Sequence, residues 1–118
     1  MRKIVHPTGC PQVILHANSP APVIHKNTVH LRCPHFHVVT KYGLYVHLNT
    51  GFVVPQGRKV HVTLSSIFHP SGSQLVLEAT PCTYFEGYIP HTSLFLRALT
   101  DEPVIIRRGT CLASLTLL

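Results

Sequence analysis

The sequence is short of acid. It has four Asp plus Glu against ten Lys plus Arg in 118 residues, a formal charge of +6, and it has no tryptophan and one methionine. With so few carboxylates, hard-cation sites and carboxylate-pair chemistry have little to draw on. A positive balance can attract nucleic acid or an acidic partner, but the basic residues cluster only as Arg2-Lys3, Arg58-Lys59 and Arg107-Arg108, with no aromatic stacking pattern beside them. Nucleic-acid binding is therefore not expected. No apolar run reaches the ~18 residues of a membrane span, and Met1-Arg2-Lys3 leads into no long apolar segment, so no membrane partner is expected and the cytosol or nucleus is the expected compartment. Cys10, Cys33, Cys82 and Cys111 contain no CxxC pair, which argues against a disulfide framework or zinc ribbon and for reduced, mostly buried thiols.

What is present is β-branched and apolar sequence cut into short pieces. Hydrophobic residues make up 45% of the chain and charged residues 12%, a balance that excludes disorder. Ten prolines and seven glycines leave no room for ordinary helices. The expectation is one all-β domain over residues 1–118, a barrel or jelly roll of short strands with little or no helix. From the carboxyl side, Ser93 to Leu99, Val104 to Ile106 and Leu112 to Leu118 read as a meander, separated by Asp101-Glu102-Pro103 and Arg107-Arg108-Gly109. Ser93 to Leu99 reads as an exposed apolar strand that favours assembly. Gln12 to Ala17 reads as an edge strand or arm, because Pro11, Pro20 and Pro22 flank it. Residues 1–27 form this N-terminal part.

Ten histidines are many for this length. Cys33, His35 and His37 fall at i, i+2 and i+4, which on a strand would share one face and could offer thiolate and imidazole to Zn²⁺. No fourth ligand has a recognisable spacing, and Pro34 interrupts the run. Surface or partly buried histidines are the reading preferred to a metal site, and no cofactor is expected.

Residues 28–118 carry a family resemblance. The tail from Val104 to Leu115 is similar to the closing segment F-x-V-x-x-G-D-R-I-A-Q-L of the trimeric dUTPases, and Ala79 to Gly87 lies without a gap over their catalytic motif G-V-I-D-x-D-Y-R-G. Thr28 to Cys33 occupies the place of A-G-x-D-L-x-S, Val53-Val54-Pro55-Gln56-Gly57 resembles a strand ending in a P-x-G turn, and Thr63 to Ser66 falls at A-P-R-S-G. The resemblance implies a dUTPase-like β-barrel and a homotrimer whose site is built across subunits.

It also implies lost chemistry. Cys82 stands on the catalytic Asp, Phe85 on the Tyr, His30 on the first-motif Asp, Ser65 on the phosphate-gripping Arg and Ser114 on the Gln of I-A-Q-L, while Ser66 keeps its Ser. Imidazole cannot replace a carboxylate that holds Mg²⁺, and serine cannot replace a bidentate guanidinium. The sequence stops just past the closing strand, with no Gly-rich arm. Degenerate proteins of this family are known chiefly from adenoviruses and herpesviruses, and the Cys33-Pro34 pair before Phe36-His37 is similar to the former. The resemblance implies a non-enzymatic accessory protein that binds signalling or scaffold proteins in the cytoplasm or nucleus of a host cell. Thr116 and Leu118 fit the Ser/Thr-x-hydrophobic ending captured by PDZ domains. The alternatives are a homologue that still binds nucleotide or metal, and a structural virion subunit.

Overall fold

The computed structural model describes residues 3–16, 18–67 and 77–118. It is built of twelve strands, and the described residues contain no helix. They are β1 (Lys3–Val5), β2 (Gln12–Leu15), β3 (Val23–His25), β4 (Thr28–Arg32), β5 (His37–Val39), β6 (Leu44–His47), β7 (Thr50–Leu64), β8 (Leu77–Ala79), β9 (Cys82–Ile89), β10 (Ser93–Ala98), β11 (Val104–Ile106) and β12 (Cys111–Leu117). A curled antiparallel sheet runs β1-β2-β7-β12-β4-β3 with β9 on the other side of β7, a second sheet runs β6-β10-β8, and β5 and β11 form a ribbon.

β7 organises the fold because it is long and bent. Its first half, Thr50 to Val53, pairs with β2, and its second half, Val60 to Leu64, pairs with β12. The bend is the Pro55-Gln56-Gly57 corner anticipated from sequence: Gly57 has φ +76°, a value that strains any residue with a Cβ, and the register against β9 slips between Val54 and Lys59. β9 crosses the bend and pairs with both halves, Tyr88 opposite Val53 and Ile89 opposite Phe52. Gly51 answers a different need. A Cβ there would lie 2.8 Å from the Ile89 carbonyl oxygen and 2.9 Å from that of Pro90, so only a bare Cα lets the two chains approach.

Inward residues of the sheets close one core, including Val13, Val29, Leu31, Phe52, Val60, Val62, Leu94, Leu96 and Leu115. Four expectations are corrected here. β10, β11 and β12 form as strands but not as a meander: β10 joins β6 and β8, β11 joins β5, and β12 enters the large sheet between β4 and β7. The Thr40 carbonyl takes the Ala98 N–H as β10 ends, which steers the chain toward β5. Nor is β10 an exposed apolar strand, since Leu94, Leu96 and Ala98 all face the core. β2 is no edge: it lies between β1 and β7, and Pro11 precedes its first ladder position, so the missing N–H costs the sheet nothing. Ala17, the expected end of that strand, lies outside the described residues. Cysteine burial is divided: Cys10 and Cys33 are buried, Cys111 is half-buried and Cys82 is exposed.

Candidate functional site

Three of the motif positions converge. His30 on β4 and Ser114 on β12 are direct register partners, so their side chains share a face, and Ser65 comes from the turn that leaves β7. His30 Nδ1 lies 2.7 Å from Ser65 Oγ and 3.1 Å from Ser114 Oγ, and Ser65 Oγ accepts the Ile67 N–H at 3.2 Å. All three are buried, His30 to 1% exposure; the other described histidines are exposed or half-buried as expected, so His30 alone departs from that reading. Strand alternation puts Val29 and Leu31 in the apolar core and turns His30 to the opposite face, where the two hydroxyls satisfy its nitrogen. Burial, and then the nearby His25, lower the His30 pKa. The imidazole is neutral at physiological pH, and it is closed off from any nucleotide-sized ligand.

The remaining motif positions stand elsewhere. In this part of the sheet the order is β9-β7-β12-β4, so Cys82 lies three strand spacings, about 14 Å along the sheet, from His30, and Phe85, opposite Lys59, lies farther still. Ser66 is exposed on the turn after Ser65. Cys33, His35 and His37 do not form one strand face. Cys33 to Phe36 is irregular and only His37 enters β5, with Cys33 Sγ donating to the His35 carbonyl at 3.0 Å. Burial pushes the Cys33 thiol pKa up, although the His35 contact opposes it. The described residues hold no group of three or more His, Cys, Asp or Glu placed to share a metal. Thr116 is paired on both sides, with His61 and Thr28, and the Leu118 N–H donates to the Lys59 carbonyl at 2.8 Å.

Mg²⁺, which the family resemblance would place at the His30 position, does not fit the donors present. One imidazole nitrogen and two hydroxyls are a poor set for a hard cation that selects carboxylate and water oxygens. The acids are committed elsewhere: Glu78 pairs with Arg97, Asp101 with Lys41, and Glu86 accepts the Gly57 N–H. The fourth, Glu102, is exposed in the turn before β11.

An open cleft of about 370 Å³ lies at the start of β9, lined by Tyr45, Thr80, Pro81, Cys82, Tyr84, Ser93 and Phe95. Tyr45 and Phe95 are cross-strand partners with ring centroids 5.0 Å apart, and Tyr84 packs edge-on against buried Phe52 at 5.4 Å. Burial, together with the Cys82 hydrogen bond, raises the Tyr84 pKa and keeps the phenol protonated. Aromatic walls with hydroxyls at the rim suit a planar or aromatic group better than a free phosphate. Tyr45 and Phe95 were not singled out from sequence. Their signal was phase, because each is an aromatic residue alternating with buried aliphatics, Val46 beside Tyr45 and Leu94 and Leu96 beside Phe95.

No protein-family model and no curated protein matches the sequence. Among solved structures, the dUTPase of Staphylococcus bacteriophage 80alpha superposes with a TM-score of 0.71 at 14% identity, over 92% of this chain and 88% of that one, in two point-mutant forms, one of them with dUpNHpp. A point mutant of the dUTPase from phage phi11 of S. aureus, whose description concerns a structural Mg(II) ion, superposes with a TM-score of 0.70 at 16% identity, over 92% and 89%. The chain therefore has a dUTPase-like all-β fold.

Proposed function

We propose that this protein is a dUTPase-fold protein without nucleotide hydrolysis that works by binding other proteins, as a viral accessory protein in the cytoplasm or nucleus of a host cell. The observation that carries the reading is the buried His30–Ser65–Ser114 node. At positions where the family keeps a carboxylate and a guanidinium, this chain has a neutral, mutually satisfied cluster with no room for a phosphate. Hydrolysis at an α-phosphate needs an activated water, charge neutralisation and phosphate donors. Cys82 supplies none of these. The dUTPase of bacteriophage 80alpha is described as controlling the transfer of virulence genes, which supports a regulatory reading, and the resemblance to adenovirus-type relatives points the same way.

The tail is the weaker contact for a partner. Capture of Thr116 and Leu118 by a PDZ domain would first require peeling β12 from β4 and β7. A homotrimer follows from the family resemblance and is read by sedimentation. The second reading, residual nucleotide binding, is favoured by the aromatic cleft on the Ala79–Gly87 segment. One titration separates the two. With dUTP or dUMP at millimolar level and Mg²⁺ present, the melting temperature is expected to stay unmoved and no pyrophosphate to appear. Pyrophosphate release would end the first reading, and a melting shift without release would establish the second.

A further inference from the structure

Among the described residues β9 is paired only with β7, so its other edge is open. Every other edge strand is short: β1, β3, β8, β5 and β11 have three residues each and β6 has four. Short edges are one way that soluble sheets avoid unwanted pairing, and lysine or proline on the edge is another. β9 uses neither. Its eight residues, about 26 Å of strand, contain no proline and no lysine, and Phe85 and Tyr88 are exposed along it. The register break at Glu86 and Gly87 interrupts this edge and leaves Cys82 to Phe85 as its longest regular stretch, which is suited to accepting another strand.

Charge decides what kind of strand. Lys59 Nζ stands 5.6 Å from the centre of the Phe85 ring, so its ammonium is carried from β7 across the face of β9. Arg58 lines the same shallow hollow with Phe85 and Glu86. Glu86, the one charged residue of β9, accepts the Gly57 N–H and is turned back toward β7. A second copy of this chain, with four acids against ten bases, would bring little acid to meet these cations. The cleft lies at the start of β9, where Cys82 and Tyr84 form part of its wall. Its volume of about 370 Å³ suits one aromatic side chain held between Tyr45, Tyr84 and Phe95.

We infer that β9 receives an extended acidic segment of another protein as an added strand, with one aromatic side chain of that segment seated in the Tyr45–Tyr84–Phe95 cleft. Backbone pairing supplies attraction and the cleft supplies selectivity, the division of labour seen in strand-addition recognition. The inference rests on the protein-binding reading and names its surface.

The probe is a fluorescent peptide as long as β9, alternating valine and glutamate with one tryptophan, titrated against the whole chain by anisotropy. Binding is expected at low salt and weakening at high salt. It is expected to be lost when alternate peptide amides are N-methylated, when tryptophan becomes alanine, or when lysine replaces glutamate. Tyr45→Ala, at a ring 65% exposed, should weaken binding about tenfold without moving the melting temperature. Lys59→Glu should weaken it by a similar factor, and Ile4→Ala, exposed on distant β1, should leave it unchanged. Hydrogen exchange should show β9 amides gaining protection on binding. Equal affinity for the N-methylated peptide, indifference to Tyr45→Ala, or full protection of β9 in the free protein would each overturn the inference. Failure here with dUTP still inert would leave the non-enzymatic reading standing, whereas dUTP hydrolysis would remove that reading whatever the peptide does.

Discussion

The His30 node makes a quantitative prediction. In Ser114→Ala the imidazole keeps its 2.7 Å partner Ser65, so the loss should be that of one ordinary hydrogen bond, about 0.5–1 kcal/mol. Ser65→Ala also strips the Ile67 N–H of its acceptor and should cost more, about 1–2 kcal/mol. The double variant leaves Nδ1 of a residue only 1% exposed with neither hydroxyl. The desolvation penalty of an unsatisfied buried polar group then appears for the first time, about 1–3 kcal/mol beyond the sum of the singles. Urea unfolding at pH 7.5 reads this directly. With a slope of about 1–3 kcal/mol/M, each extra kcal/mol lowers the midpoint by about 0.3–1 M. Singles that sum to the double within about 0.5 kcal/mol would show that the hydroxyls do not share the imidazole, and the case for a closed node would fail.

Three further outcomes follow from other parts of the molecule. Burial lowers the pKa values of both His30 and His37, with His25 adding to the first and His35 and His47 to the second, so the unfolded chain binds protons that the folded chain refuses. Stability is full above the unfolded imidazole value of about 6.5 and falls as pH drops below it, by up to about 1.4 kcal/mol per pH unit for each such proton; His37→Gln should flatten part of the slope between pH 7.5 and 5.5, and an unchanged profile would refute its contribution. Gly51→Ala drives a methyl against two backbone carbonyls and should cost about 1–3 kcal/mol by thermal melting, with a neutral result ruling out the close β7–β9 approach. Phe52→Ala removes a wholly buried ring that also supports Tyr84 and should cost about 3–5 kcal/mol in the same assay; a loss under about 1 kcal/mol would contradict its place in the core.

Strand positions were legible and strand partners were not. β11 was read to the residue and β12 to within one, because apolar alternation between turn residues is a local signal. Alternation says which face a residue takes but not which strand lies beside it, which is why β10 to β12 read as a meander. Pro11 marked β2 as an edge because proline was weighed by proximity, whereas only its place in the ladder matters. His30, Ser65 and Ser114 were visible as departures from a motif. That they bond to one another was not, since 35 and 84 residues separate His30 from its two partners.

The hydrogen bonds that close one end of β7 bear on what its other edge can do. β12 sits on one edge of the second half of β7 and β9 on the other, so the buried node and the open strand share a single long element. A nucleotide site needs polar groups left unsatisfied until ligand arrives, and such groups weaken the sheet that carries them. Where His30, Ser65 and Ser114 satisfy one another, that cost is absent and β7 is held firmly by β12. A rigid β7 presents β9 as a preformed template, which reduces the ordering cost of adding a strand to the partner's own share. The coupling can be measured: the Ser65→Ala/Ser114→Ala double variant should loosen β9 amides in hydrogen exchange and weaken the acidic peptide, although neither residue touches the peptide's edge. A double variant that loses stability yet binds the peptide unchanged would show that node and edge are independent.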